Sequence, residues 1–281
     1  MSLVWCNGAM VEGALALDPA DRGLTLGDGL FETFLVVRRT ALWRNMHLAR
    51  LEGSARELGI GFNREASELA LDTLLGLGGD GHQVLRLTLT RGAATRGLGG
   101  NGGAPTLLAT LDAFDPGLMF QPTGLITASV RRSPQSPAAR LKTLSYIDNI
   151  VAARQAKARG YDDALMLNTR GAVACSTIAN VFLVKGSKLI TPGRDQGLLT
   201  GVTRQALLAA AHRAGFEAVE RSVKPSELAT ADGVFVTNSL RFIRPVTALD
   251  GQPVAQVELA GLAEQLCEAA RLQCGADPRL I

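Results

Sequence analysis

Residues 112–122, punctuated by Pro116, Gly117 and Pro122, interrupt an otherwise regular succession of short apolar runs and amphipathic periods. Proline neither donates to a β-ladder nor continues a helix, so such a stretch predicts a linker rather than an element. The break divides the chain into a smaller N-terminal α/β domain at 1–113, a linker at 114–124 and a larger C-terminal domain at 125–281. Strand and helix patterns on both sides predict an α+β, two-domain layout, in which a cofactor would naturally lie between the domains.

Within the first region, residues 3–11 read as a hairpin turning at Asn7-Gly8, and residues 30–37 as an apolar strand returning through 41–43. Asn45 is a candidate cap for a helix to Leu58 with Leu48, Leu51, Ala55 and Leu58 on one face, ended by Gly59. A helix at 65–75, a strand at 84–90, a glycine-rich mobile loop at 92–105 and a strand at 107–111 follow. The second region predicts strands at 125–130, 163–167, 172–184, 189–191 and 233–237, and helices at 146–159, 202–214 and 256–272.

Bulk properties remove several classes of function. At 47% apolar and 20% charged, 281 residues build a core without disulfides. A net charge of +3 with no dense basic block is too weak to argue for nucleic acid as a partner, and none is expected. Four scattered cysteines and three histidines, with no C-x-x-C, argue against a metal site. The sparse thiols, the lack of a signal sequence and the lack of a long apolar span predict a cytoplasmic protein with no membrane partner.

Three segments carry the chemistry. Lys142 stands in Leu141-Lys142-Thr143-Leu144, where apolar neighbours favour the neutral, nucleophilic amine. Asn180 lies inside the apolar run 172–184 and needs partners there. Gly201-Val202-Thr203 opens a helix, where free amides and the macrodipole favour an anion. In this order they suggest a Schiff-base lysine, a strand beneath a flat ring and a phosphate cup. Singly each has a plain reading: a solvated lysine, a satisfied amide, an ordinary helix start. Arg91 and Arg96 flank a glycine-rich turn and read either as a fork for carboxylates or as a basic loop. Thr237-Asn238-Ser239 reads as a phosphate loop or merely a turn.

The run Asp21-Arg22-Gly23-Leu24-Thr25-Leu26-Gly27-Asp28-Gly29-Leu30-Phe31-Glu32-Thr33, followed by His47-Leu48-Ala49-Arg50-Leu51, resembles the signatures of the class-IV aminotransferases. These are the fold-type IV pyridoxal-phosphate (PLP) enzymes, which include branched-chain and D-amino-acid transaminases and aminodeoxychorismate lyase. The resemblance runs from about Asn7 to Gly251. It implies the D-amino-acid-aminotransferase-like architecture, pyridoxal 5'-phosphate as cofactor, and a homodimer with the site between domains near the subunit interface. It also implies Lys142 as the covalent anchor and proton carrier. Phosphate ligation is implied for Arg50, the Val202 and Thr203 amides and Ser239, and cofactor contact for Asn180. Phe31, Arg91 and Arg96 are implied in binding a small anionic amino-group substrate.

Thr33 and the form of Thr237-Asn238-Ser239-Leu240-Arg241-Phe242 resemble the lyase branch, in which Thr33 would assist near the leaving group. The loop Arg91-Gly92-Ala93-Ala94-Thr95-Arg96-Gly97 is equally similar to the D-amino-acid transaminase loop. The resemblance therefore points first to a lyase converting 4-amino-4-deoxychorismate to 4-aminobenzoate and pyruvate. A D-amino or branched-chain transaminase comes next, and a cofactor-binding protein without turnover last. In one departure, Cys175 stands where the family has a glutamate facing the pyridine nitrogen. A neutral thiol supports a proton there poorly, which predicts a weakened electron sink.

Overall fold

The computed structural model describes residues 2–100 and 102–280. Two compact units form, and neither is a single linear stretch. The first contains residues up to 116, Leu141–Ser145 and the C-terminal stretch from Ala270, and the second contains Gly117–Arg140 and Tyr146–Ala269.

In the first unit, β1 (Leu3–Cys6), β2 (Ala9–Met10), α1 (Arg22–Leu26), β3 (Gly29–Val37), β4 (Thr40–Ala41), α2 (Arg44–Leu58), α3 (Arg64–Leu77), β5 (Gln83–Thr90) and β6 (Thr106–Ala113) follow one another. The strands form one antiparallel sheet in the order β2-β1-β6-β5-β3-β4. Alternate residues of β5 and β6 turn inward, as a period of two requires. The helices supply the opposing apolar face. Asn63 caps α3 by accepting from the Ala66 amide, and Ala70, Leu71, Leu74 and Leu75 are buried at helical spacing. Each such leucine contributes roughly 1.5–3 kcal/mol through burial. Gly59 ends α2 at φ +64, where its amide reaches the Ala55 and Arg56 carbonyls. The cap of α2 is Trp43 rather than Asn45. The Trp43 backbone is left-handed at φ +53, and its N–H donates to Gln273 Oε1 at 2.6 Å.

Lys142 packs with this first unit, although the linear division placed it in the C-terminal domain. Backbone pairing is the reason: the Phe31 amide donates to the Lys142 carbonyl, the Leu144 amide donates to Gly29, and Leu30 bridges Thr143. The segment 141–145 is in effect a short extra edge on β3.

The second unit comprises β7 (Thr123–Arg132), α4 (Pro137–Arg140), α5 (Ile147–Ala158), β8 (Asp163–Asn168), β9 (Val173–Ser176), β10 (Asn180–Lys185), β11 (Lys188–Pro192), α6 (Val202–Ala210), β12 (Glu217–Arg221), α7 (Pro225–Ala229), β13 (Gly233–Asn238), β14 (Phe242–Leu249) and β15 (Gln252–Pro253). A final helix, α8 (Ala260–Cys274), ends with its last turn in the first unit. Strand order is β12-β11-β10-β13-β14-β7-β8-β9, with β15 on β14. The apolar run 172–184 is two strands rather than one. Asp163 Oδ1 accepts from both the amide and the hydroxyl of Thr177 and pins a turn between them. Among the described residues no helix is long and apolar enough to cross a membrane, and no cluster of side chains fits a metal ion.

Candidate active site

Lys142 is partly buried, with Nζ 4.2 Å from the centroid of the Phe31 ring. The Arg86 guanidinium lies 3.8 Å from the same ring. Burial pushes the Lys142 amine down to about 8; the Glu32 carboxylate opposes that fall, and the Arg50 and Arg86 cations add to it. About a fifth of an amine so placed is neutral at pH 7.4, far more than of an ordinary lysine, and that fraction can act as a nucleophile. Phe31 and Thr33 are two residues apart on β3 and so share one side of the sheet, and Thr33 is half-buried opposite Arg86.

On the other side of β3, Glu32 is completely buried and faces α2. Its Oε1 accepts from Arg50 Nε at 2.7 Å, and its Oε2 accepts from Arg50 Nη2 at 2.6 Å. His47 Nδ1 meets Oε2 at 2.7 Å. Burial alone would raise the Glu32 pKa, but the charge and hydrogen bonds of Arg50, with help from His47, hold it at about 2. The carboxylate is therefore ionised. Burial lowers the His47 pKa despite Glu32, so the ring is neutral and donates through Nδ1. Its Nε2 is buried without a hydrogen-bond partner among the described residues.

Arg91 and Arg96 behave differently. Arg91 donates from Nε and Nη2 to Asp28, from Nη1 to the Gly59 carbonyl and from Nη2 to the Leu58 carbonyl. Nε and Nη2 hold Asp28 while Nη1 and Nη2 hold the end of α2, so Arg91 is engaged within the fold rather than offered as half of the expected substrate fork. Arg96 is exposed and has no ion-pair partner among the described residues. Asp28 also takes Arg22 Nε at 2.8 Å, while the other Arg22 nitrogens hold the Gly97 and Leu98 carbonyls. Burial would raise the Asp28 pKa, but Arg91 and Arg22 bring it below the usual carboxylate range. Asp28→Ala would strand two partly buried cations. It should cost about 2–3 kcal/mol and lower Tm by roughly 5 °C or more. An unchanged thermal melt would refute this clamp.

The second unit holds a separate set of groups. Gly201 precedes α6 and makes no side-chain cap, so the first amides of the helix, Val202 and Thr203, are open to an anion. Thr203 Oγ1 and Ser239 Oγ stand 3.5 Å apart, and the nearby strand carries a buried Thr237 hydroxyl with no partner among the described residues. Asn180 is engaged with the loop before α6. Its Nδ2 donates to the Leu199 carbonyl, and its Oδ1 accepts from the Gly201 amide. It therefore shapes the loop, and so tightly that a Cβ at position 201 would come within 2.3 Å of that oxygen. Open amides, paired hydroxyls and an unpartnered hydroxyl fit a phosphate monoester.

Cys175 is buried on β9 opposite Met166, among Ile126, Ala128, Ala164, Ala174 and Leu198. Burial raises its thiol pKa, Asp163 raises it further, and the Arg132 cation only partly opposes them. The thiol is neutral and fits a pyridinium nitrogen poorly. Sequence reasoning missed Glu32, His47, Arg86, Asp28 and Arg132. For Glu32 a signal existed, since an acid amid the apolar run 30–37 demands a buried counter-charge.

The family model for amino-transferase class IV matches residues 29–249. A Methanocaldococcus jannaschii protein named as a branched-chain-amino-acid aminotransferase is 32% identical, with 94% of each chain covered. The aminodeoxychorismate lyase of Bacillus subtilis is also 32% identical, over 88% of this chain and 87% of its own length. A solved PLP-bound form of a hypothetical aminotransferase from Mycobacterium tuberculosis superposes with a TM-score of 0.84 at 27% identity, covering 95% and 98% of the two chains.

Proposed function

Because the chain belongs to the amino-transferase class IV family, we propose that it is a pyridoxal 5'-phosphate enzyme and, within that family, a lyase. It would convert 4-amino-4-deoxychorismate to 4-aminobenzoate and pyruvate. When bound, the cofactor supplies an electron sink for the carbanion left by proton removal. Lys142 anchors it through Nζ and then carries the proton. The Val202 and Thr203 amides, the Thr203 and Ser239 hydroxyls and Arg50 take the phosphate, and Asn180 keeps the loop in shape. Arg96 holds a substrate carboxylate, while Arg91 serves the fold.

The observation that carries the lyase reading is Thr33. It puts a half-buried hydroxyl two residues from Phe31 on β3, the strand whose Phe31 ring receives the Lys142 amine. There it can donate to a departing enolpyruvyl oxygen. Relatives of both activities are equally similar, so transamination is the second reading. We propose a cytoplasmic homodimer as the working form.

Pyruvate release from fresh aminodeoxychorismate, by dialysed enzyme without added keto acid, separates the readings. A lyase is expected to release many pyruvates per site. One equivalent or none would favour the transaminase, which stalls without an acceptor.

A further inference from the structure

Glu32 holds the most constrained charge of the first unit. Its two oxygens are shared between an arginine fork and a histidine donor, and no part of it reaches solvent. A fork of two parallel N–H···O bonds fixes the plane of the guanidinium as well as its place. His47 lies under the carboxylate with its ring 4.6 Å from that of Phe34. Leaving Nε2 desolvated and unpaired is a standing cost, so an apolar residue would pack there more cheaply. What the histidine adds is the Nδ1–H that fixes Oε2.

The same carboxylate also acts on the lysine. Glu32 directly follows Phe31, whose amide donates to the Lys142 carbonyl and whose ring centroid lies 4.2 Å from Nζ; from β3 its charge favours the ammonium, against the Arg50 cation on α2 and the Arg86 cation on β5. His47, the other titratable group on α2 beside them, is neutral. Without Glu32 the amine would lose an anion that opposes the two guanidiniums.

We propose that Glu32, braced by His47, is a positioning residue that serves both Arg50 and Lys142. It sets the plane of the arginine that receives the phosphate, and it balances the charge around the amine that attaches the cofactor. This rests on the functional reading above and extends it to a residue that touches neither substrate nor cofactor.

The test uses the full-length chain freed of cofactor, with two readouts that do not depend on turnover. The first is the ratio of affinities for pyridoxal 5'-phosphate and for pyridoxal, which isolates the phosphate grip. The second is the pH midpoint of Lys142 acylation, read on its peptide by mass spectrometry. Glu32→Gln is expected to lose at least tenfold in the phosphate preference. It should also move the Lys142 midpoint down by about one pH unit or more, because an anion within reach favours the ammonium. Glu32→Asp keeps the charge but withdraws it by one methylene, and should recover much of the midpoint while the preference stays impaired.

A folded Glu32→Gln with the parental midpoint and preference overturns the proposal. Equal weakening toward both ligands with an unmoved midpoint also overturns it, since that pattern marks structural damage alone. If Glu32→Gln fails to fold, Arg50→Lys keeps the charge and breaks the fork. It should lose the preference while leaving the midpoint nearly in place, and retention of the preference would overturn the proposal. Failure of the functional reading is separable: Lys142→Ala would then bind pyridoxal 5'-phosphate with the parental visible spectrum, whatever Glu32 does.

Discussion

Lys142→Ala is expected to abolish the visible spectrum of attached cofactor and to lower turnover on the order of 10³-fold or more. The reasoning starts from the amine's charge. With its pKa near 8, about half of Lys142 is neutral at pH 8, against roughly 1 in 300 for an ordinary lysine. The substitution removes that nucleophile and leaves a small cavity beside Phe31. Stability should move the other way. The folded pKa lies below the unfolded value near 10.5, so between pH 8 and 10.5 the unfolded chain holds the proton more tightly. Below pH 8 the partly buried ammonium therefore costs the fold up to about 3 kcal/mol before solvent screening, a cost relieved as pH rises. The lost cation–π contact with Phe31 offsets about 1–2 kcal/mol of this. Lys142→Ala should thus melt no lower than the parent at pH 7 and lose any advantage by pH 10. An inactive variant that is also unfolded would not test the site. A folded one that retained the spectrum would remove Lys142 from the chemistry.

How far the sequence foretold this site depends on whether the signal was local. Gly59 and Gly215 mark helix ends through their own backbone preferences, and each stands at one. Lys142 and Gly201-Val202-Thr203 were legible because their flanking residues already specify a dry amine and an open helix start. The failures are failures of partnership. Nothing near Arg91 announces that Asp28, 63 positions earlier, will occupy it. The same holds for the Glu32–Arg50 fork, which joins a strand to a helix 18 positions on. The break at 177–179 was hidden because Thr177 and Ile178 favour strands, and the groups that bend the chain there, Asp163 and Asn149, are distant in sequence. The place of Lys142 likewise follows from backbone pairing with β3, which no composition shift reveals.

Cys175→Glu should raise turnover at least tenfold and shift the visible spectrum of the bound cofactor. In the parent the buried thiol stays protonated and offers the ring nitrogen no charge. The Arg132 guanidinium makes the deficit worse. It is buried and donates to the Gly197, Ala138 and Ala139 carbonyls and to Asn149 Oδ1, all of them neutral acceptors. A buried cation whose hydrogen bonds all go to neutral acceptors would disfavour a second positive charge on a pyridine nitrogen bound near Cys175, with the Asp163 carboxylate opposing it only in part. Glutamate at 175 would add an anion at that position, where Arg132 favours its ionised form and Asp163 opposes it. The larger side chain crowds Met166 and Leu198, and overpacking costs about 1–3 kcal/mol, so the melt should fall slightly unless an ion pair with Arg132 offsets it. Cys175→Gln has the same size without the charge and separates the two effects: it should crowd the site equally and leave the rate low. If the glutamate variant gained stability but kept the parental rate and spectrum, Arg132 would have captured the new carboxylate. The neutral-thiol account of this site would then be wrong.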